Sequence, residues 1–208
     1  MPGSMTPISS LTKLKTLSAS NNLLGRPVTN KNSKAPAAPS TAKNTDILPT
    51  PLPKGLRTIL LSNNSLTTIP RSIVNNSNPL KLLEKLDLSF NNLATVPESI
   101  ANLVALNDLN LDSNVIVSLP PAIGKLKRLK ALSLRNNHIS SATTPQPLPE
   151  ELWTNTLLID MNLHGNPMTS TQLNSMDGYD AFLSRRREVK NKDILGGALT
   201  DLDGCGLK

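Results

Sequence analysis

Residues 86–106 read LDLSFNNLATVPESIANLVAL, and the period of the apolar positions changes inside them. Leu86 and Leu88 alternate with polar residues, which predicts a strand. Ile100, Leu103 and Leu106 recur every three residues, which predicts a tight helical or 3-10 return. An Asn and a Pro separate the two patterns. The arrangement repeats in ILLSNNSLTTIPRSI at 59–73, LNLDSNVIVSLPPAI at 109–123 and LSLRNNHI at 132–139. The shared frame is L-x-L-x-x-N-x-L-x-x-L-P-x-x-I, then L-x-x-L-x-x into the next unit. Asn91 to Asn114 and Asn114 to Asn137 are both 23 residues. A fixed period of this size predicts stacked supersecondary units. LSASNNLL at 17–24 and MNLHGNPM at 161–168 fit the frame more loosely, which makes six strands in all.

No single unit can bury its apolar face, so each depends on its neighbours. After the strand the chain must turn inward, which leaves backbone groups without ladder partners. An Asn amide carries both donors and an acceptor for them. Asn22, Asn64, Asn91, Asn114, Asn137 and Asn166 are therefore expected to form an inward-facing structural ladder. Pro70, Pro97 and Pro120 fix φ where the return begins.

In these motifs the chain resembles the leucine-rich repeat family. The 23-residue period with L-P-x-x-I resembles the Ras-group type of small intracellular protein. The resemblance implies an α/β solenoid, curved and right-handed. About six parallel strands would line its concave face, with 3-10, helical or irregular returns and a C-terminal helical cap. Residues 176–193, MDGYDAFLSRRREVKNKD, resemble the tails of such proteins and are expected to be helical, with Tyr179, Phe182 and Leu183 on one face. With Trp153, these aromatics are the candidates to cap the array's end. The expected organisation is one repeat domain over 1–193 and a Gly-rich tail over 194–208. Residues 25–55, rich in Pro, Ser, Thr, Asn and Lys, are expected to leave the array as a flexible loop. Ile8 falls in the return half of a unit whose strand is missing. Residues 1–10 form a minimal cap, or something else covers that end, or the chain is truncated there.

Charge adds a second signal. The net charge is +7 and uneven: residues 1–55 hold seven basic residues against one acidic, and 140–176 hold three acidic and none basic. A basic arm beside a rigid array suggests an acidic partner, whether a protein, a nucleic acid such as RNA or an anionic membrane surface, or else a plain solvated linker. Outward strand positions offer a second surface. Lys85, Asp87, Phe90, Asp108, Asn110, Asp112, Arg135, Asp160 and His164 are the expected partner-binding residues, with Ser89 among their neighbours. Asp87, Asp108, Asp112 and Asp160 make this surface locally acidic.

No enzyme motif, cofactor site or metal site is expected. His138 and His164 have no carboxylate or Cys at ligand spacing, and DLDG at 201–204 lacks the acidic ligand that would close a calcium loop. The lone Cys205 cannot form the disulfide-bonded caps of secreted repeat proteins, which argues for a reducing compartment. No apolar run reaches membrane-spanning length. The expected location is cytoplasmic, or organellar if the acid-free N-terminus is a transit segment. These readings point to a non-catalytic protein–protein interaction scaffold or adaptor in intracellular signalling. The alternative is a structural subunit of a large assembly, such as a ribonucleoprotein, tethered by the basic insertion and the Arg-rich tail.

Overall fold

A computed structural model describes residues 11, 13–25, 48, 50–75, 77, 79–141 and 146–195. Each unit contributes one three-residue strand: β1 (Thr16–Ser18), β2 (Thr58–Leu60), β3 (Lys85–Asp87), β4 (Asp108–Asn110), β5 (Ala131–Ser133) and β6 (Asp160–Asn162). They form one parallel sheet in chain order. Its register carries the repeat through space: Ile59, Leu86, Leu109, Leu132 and Met161 are successive partners. All five point inward and are buried. Leu61, Leu88, Leu111, Leu134 and Leu163 make the next buried row two residues on, as a pleated strand requires.

The returns complete the core. Helix α1 (Arg71–Val74) and two 3-10 turns (Glu98–Asn102 and Pro121–Lys125) follow Pro70, Pro97 and Pro120. Each Pro has extended ψ, 133°, 152° and 151°, so it directs the chain into the return. The fifth unit begins its return with a true helix, α2 (Glu150–Asn155), after Pro149. Gly124 is the close-contact point there: a Cβ on it would lie 2.4 Å from Glu151 Cβ and 2.7 Å from its carbonyl.

The asparagines brace one unit to the next. Asn114 Nδ2 donates to Leu88 O at 3.1 Å in the preceding unit and to Leu111 O and Asp112 O in its own. Its Oδ1 accepts from Leu93 N at 2.9 Å. Asn64, Asn91 and Asn137 repeat this four-bond pattern. Asn166 keeps three such bonds and is half-buried. Asn22 departs from expectation. It is exposed, with a hydrogen bond to Ser20 O, because no described strand lies on its far side to supply the other partners.

The 25–55 segment needs a second correction. Leu48 and Leu52 are buried in the common core, with Pro53 buried beside them. LPTPL at 48–52 is the L-P-x-x-L return of the first unit, in the frame of VPESI at 96–100. The inserted material is thus shorter than expected, and its residues 26–47 lie outside those described.

The C-terminal end is covered by aromatics. Helix α3 (Ser170–Asn174) starts with a capping box, in which the Thr169 side chain accepts from Gln172 N while the Gln172 side chain accepts from Thr169 N. Helix α4 (Tyr179–Leu195) begins later than the expected 176 and runs two residues into the segment expected to be tail. Trp153, Tyr179 and Phe182 are buried together, with ring centroids 5.1–5.7 Å apart. Arg185 ties α4 down by donating to the carbonyls of Leu158 and Trp153, and burial lowers its pKa. Residues 196–208, with Cys205, lie outside the described structure.

Candidate interaction face

Strand alternation turns Lys85 and Asp87 of β3 away from the core that holds Leu86, and the register repeats this on each strand. Lys85, Asp87, Asp108, Asn110, Asp112 and Asp160 thereby share one shallow depression of about 280 Å³, with Ala131, Leu132, Ser133 and Asn162 completing its lining. Four carboxylates face one ammonium there. Lys85 Nζ donates to Asp108 Oδ2 at 2.7 Å, and this hydrogen bond, with the Asp108 and Asp87 charges, raises the Lys85 pKa above its ordinary value. Both partners are substantially exposed, so solvent screens the pair.

Two of the carboxylates also hold backbone. Asp87 Oδ1 accepts from Ser89 N at 3.0 Å and from Ser89 Oγ at 2.7 Å. Asn110 and Asn162 accept in the same way from the amides of Asp112 and His164, both at 3.0 Å. The fifth unit has Ser133 at that position, and its hydroxyl donates to Asp112 Oδ1 of the neighbouring unit at 2.6 Å. The same oxygen accepts from Arg135 N at 2.7 Å. Asp87 and Asp112, expected as partner-binding residues, are therefore also partly structural. Ser89 does not point outward: it is 4% exposed, because the strand ends at Asp87 and the chain has already begun to turn.

Phe90, Arg135 and His164 are exposed but do not line the depression; they follow the strands on the segment that leads into the next turn. Phe90 is the anomaly among them. The residue before each ladder Asn has positive φ: Asn21, Asn63, Phe90, Ser113, Asn136 and Gly165, at 51–77°. Asn and Gly enter this left-handed region readily, whereas a bulky side chain is strained there. Phe90 accepts that strain at φ 54° while remaining 59% exposed. The frame marked the position as outward, but its φ could not be read from the sequence of one unit.

Among the described residues no cluster of His, Cys, Asp and Glu is arranged to hold a metal ion, and no helix is long and apolar enough to cross a membrane. Residues 54–116 and 81–139 match the sequence model of the leucine rich repeat. InlP of Listeria monocytogenes is similar over 76% of this chain and 36% of its own, with 25% identity and a TM-score of 0.52. A leucine-rich repeat protein of Leptospira interrogans is 34% identical over 58% of this chain and 29% of its own, with a TM-score of 0.49. The internalin InlF of Listeria monocytogenes is 24% identical over 60% and 34%, with a TM-score of 0.46. The chain spans about a third of the length of these structures. No curated protein matches it. With the matching sequence model over residues 54–139, and the flanking strands continuing the same parallel register, this part of the chain is built of leucine-rich repeats.

Proposed function

We propose that this chain is a non-catalytic protein-interaction module that grips its partner with the exposed face of the sheet, serving as a scaffold or adaptor in intracellular signalling. The signalling role rests on the likeness of the 23-residue repeat to the Ras-group type. The binding role rests on Phe90. A strained residue with no compensating burial breaks a local rule, and such breaks cluster where function requires them. An exposed aromatic beside a rigid, charged depression has the chemistry of an interface anchor. Asp160, exposed in the depression's lining, and Arg135, exposed after β5, are its specificity elements.

The test replaces Phe90 with Asn, which the same column already accepts at positions 21, 63 and 136. Folding should persist while recovery of protein partners from native extract falls. Undiminished recovery by Phe90→Asn together with Asp160→Ala moves the binding face elsewhere. Co-sedimentation with a large particle, released by salt, would instead make the chain an assembly subunit.

A further inference from the structure

The edge of the sheet where the strands begin carries a surface unlike its face. Before each of β2 to β5 the chain makes the same tight turn: Leu56 N to Pro53 O, Leu83 N to Leu80 O, Leu106 N to Leu103 O, and Leu129 N to Leu126 O, at 2.9–3.3 Å. The strands that follow are in register, so the four turn tips stack at the strand spacing of about 4.8 Å. At the tips stand Lys54, Lys81 with Leu82, Val104, and Lys127 with Arg128, all exposed. Lys125 and Lys130, also exposed, flank the last turn. Among the described residues the turns themselves carry one acid, Glu84, and Arg57 of the adjacent unit pairs with it. On the side of the returns, Glu98 and Glu151 line a depression with Lys125 and Lys127 without forming an ion pair there. Leu82 is 45% exposed, Val104 49%, and Leu157, one unit further along, 50%.

We propose that this edge docks the protein onto a bilayer containing anionic lipid. Six cations that form no ion pair among the described residues stand in one band and match a negatively charged surface, to which each adds attraction. The choice of lipid over nucleic acid follows from what lies between the cations. Single-stranded nucleic acid is gripped by aromatic rings and stacking Arg planes. This band holds no aromatic residue, five of these six cations are Lys, and the interleaved groups are aliphatic. Leu, Val and Lys on one exposed strip is the chemistry of a surface that dips its apolar groups among headgroups and leaves its ammonium groups at the phosphates. The charge of the sheet face fixes the orientation. Asp87, Asp112 and Asp160 are repelled by the same bilayer, so the docked protein keeps its partner-binding face turned to solution.

Flotation of the full chain with vesicles tests the proposal, using phosphatidylcholine alone and phosphatidylcholine mixed with phosphatidylserine. The protein should float only with the mixed vesicles and detach as salt rises. Lys81→Glu/Lys127→Glu/Arg128→Glu should weaken binding at least about tenfold, although the four basic residues of 26–47 remain. Leu82→Ser/Val104→Ser should weaken it several-fold without changing the salt dependence. Phe90→Asn should float like the unaltered chain, which separates this edge from the interaction face. All these sites are exposed, and thermal melts check that each variant stays folded. Equal binding to neutral vesicles overturns the proposal, as does indifference to the charge reversal. Unchanged binding by the Leu82/Val104 variant removes lipid as the occupant. So does an RNA oligonucleotide that binds through the same lysines while vesicles fail to bind.

Discussion

The first and fourth units carry the same motif and hold it very differently. In the fourth, Asn114 makes four hydrogen bonds and Leu111 is fully buried. In the first, Asn22 is exposed with its bond to Ser20, and Leu17 is only partly buried. The residues are nearly interchangeable; their neighbours are not. A ladder Asn reaches back to the carbonyls of the preceding unit, so its contribution belongs to the junction between units. The first unit stands at the end of the described sheet and lacks that junction on one side.

The largest effect expected from this contrast concerns the first unit's return. Replacing residues 26–46 by a short Gly-Ser linker should leave the melting transition close to that of the full chain, since loop-closure cost changes by only about 0.6 kcal/mol per doubling of length. Extending the replacement through residue 55 removes Leu48 and Leu52 from the core. At about 2–5 kcal/mol for each large buried aliphatic lost, that chain should lose most of its cooperative melt. Equal melts for the two deletions would show that the first unit contributes nothing to the array.

Next come the leucines. Leu111→Ala should cost about 2–5 kcal/mol through a cavity flanked by packed units on both sides. Leu17→Ala should cost clearly less, because its site is already partly open to solvent. Urea unfolding of the two variants measures the gap directly. The asparagines give a smaller version of the same contrast. Asn114→Ala strands buried carbonyls and the Leu93 amide, at about 1–3 kcal/mol. Asn22→Ala should fall within about 0.5 kcal/mol of the unaltered chain, as surface changes do. Equal costs at 22 and 114 would mean that the brace carries no stability.

The same contrast explains what could be read in advance. The strands, the buried Leu rows and the central ladder were legible because they repeat in units whose neighbours also repeat. Leu48 and Leu52 were not, although their L-P-x-x-L spacing was present, because Pro, Thr and Lys around them have the composition of a loop. Asn22 misled in the other direction: its motif was intact, and only the missing neighbour denied it burial. On the candidate face, the outward positions of Lys85, Asp108, Asp160 and Asn110 followed from alternation. Ser89 did not, because strands of three residues end before the alternation reaches it. The double role of Asp112 depends on Ser133 in the next unit accepting no backbone amide of its own, a relation between units that no single repeat displays.

The smallest expected effect has the opposite sign. Phe90 occupies the left-handed position that its neighbouring units give to Asn and Ser. Holding a non-Gly residue there costs about 1–2 kcal/mol, and Asn, whose short side chain bonds locally, bears less of that cost. Little burial offsets the strain, since the ring is 59% exposed. Phe90→Asn should therefore raise stability, by up to about 1 kcal/mol, and lift the melting temperature by a few degrees. A gain in stability joined to a loss of partner binding would make Phe90 a residue kept against the interest of the fold. A drop in stability would show instead that the ring packs usefully against the turn column. The contrast between units would then extend to the exposed face, with Phe90 bracing its junction much as Asn91 does beneath it.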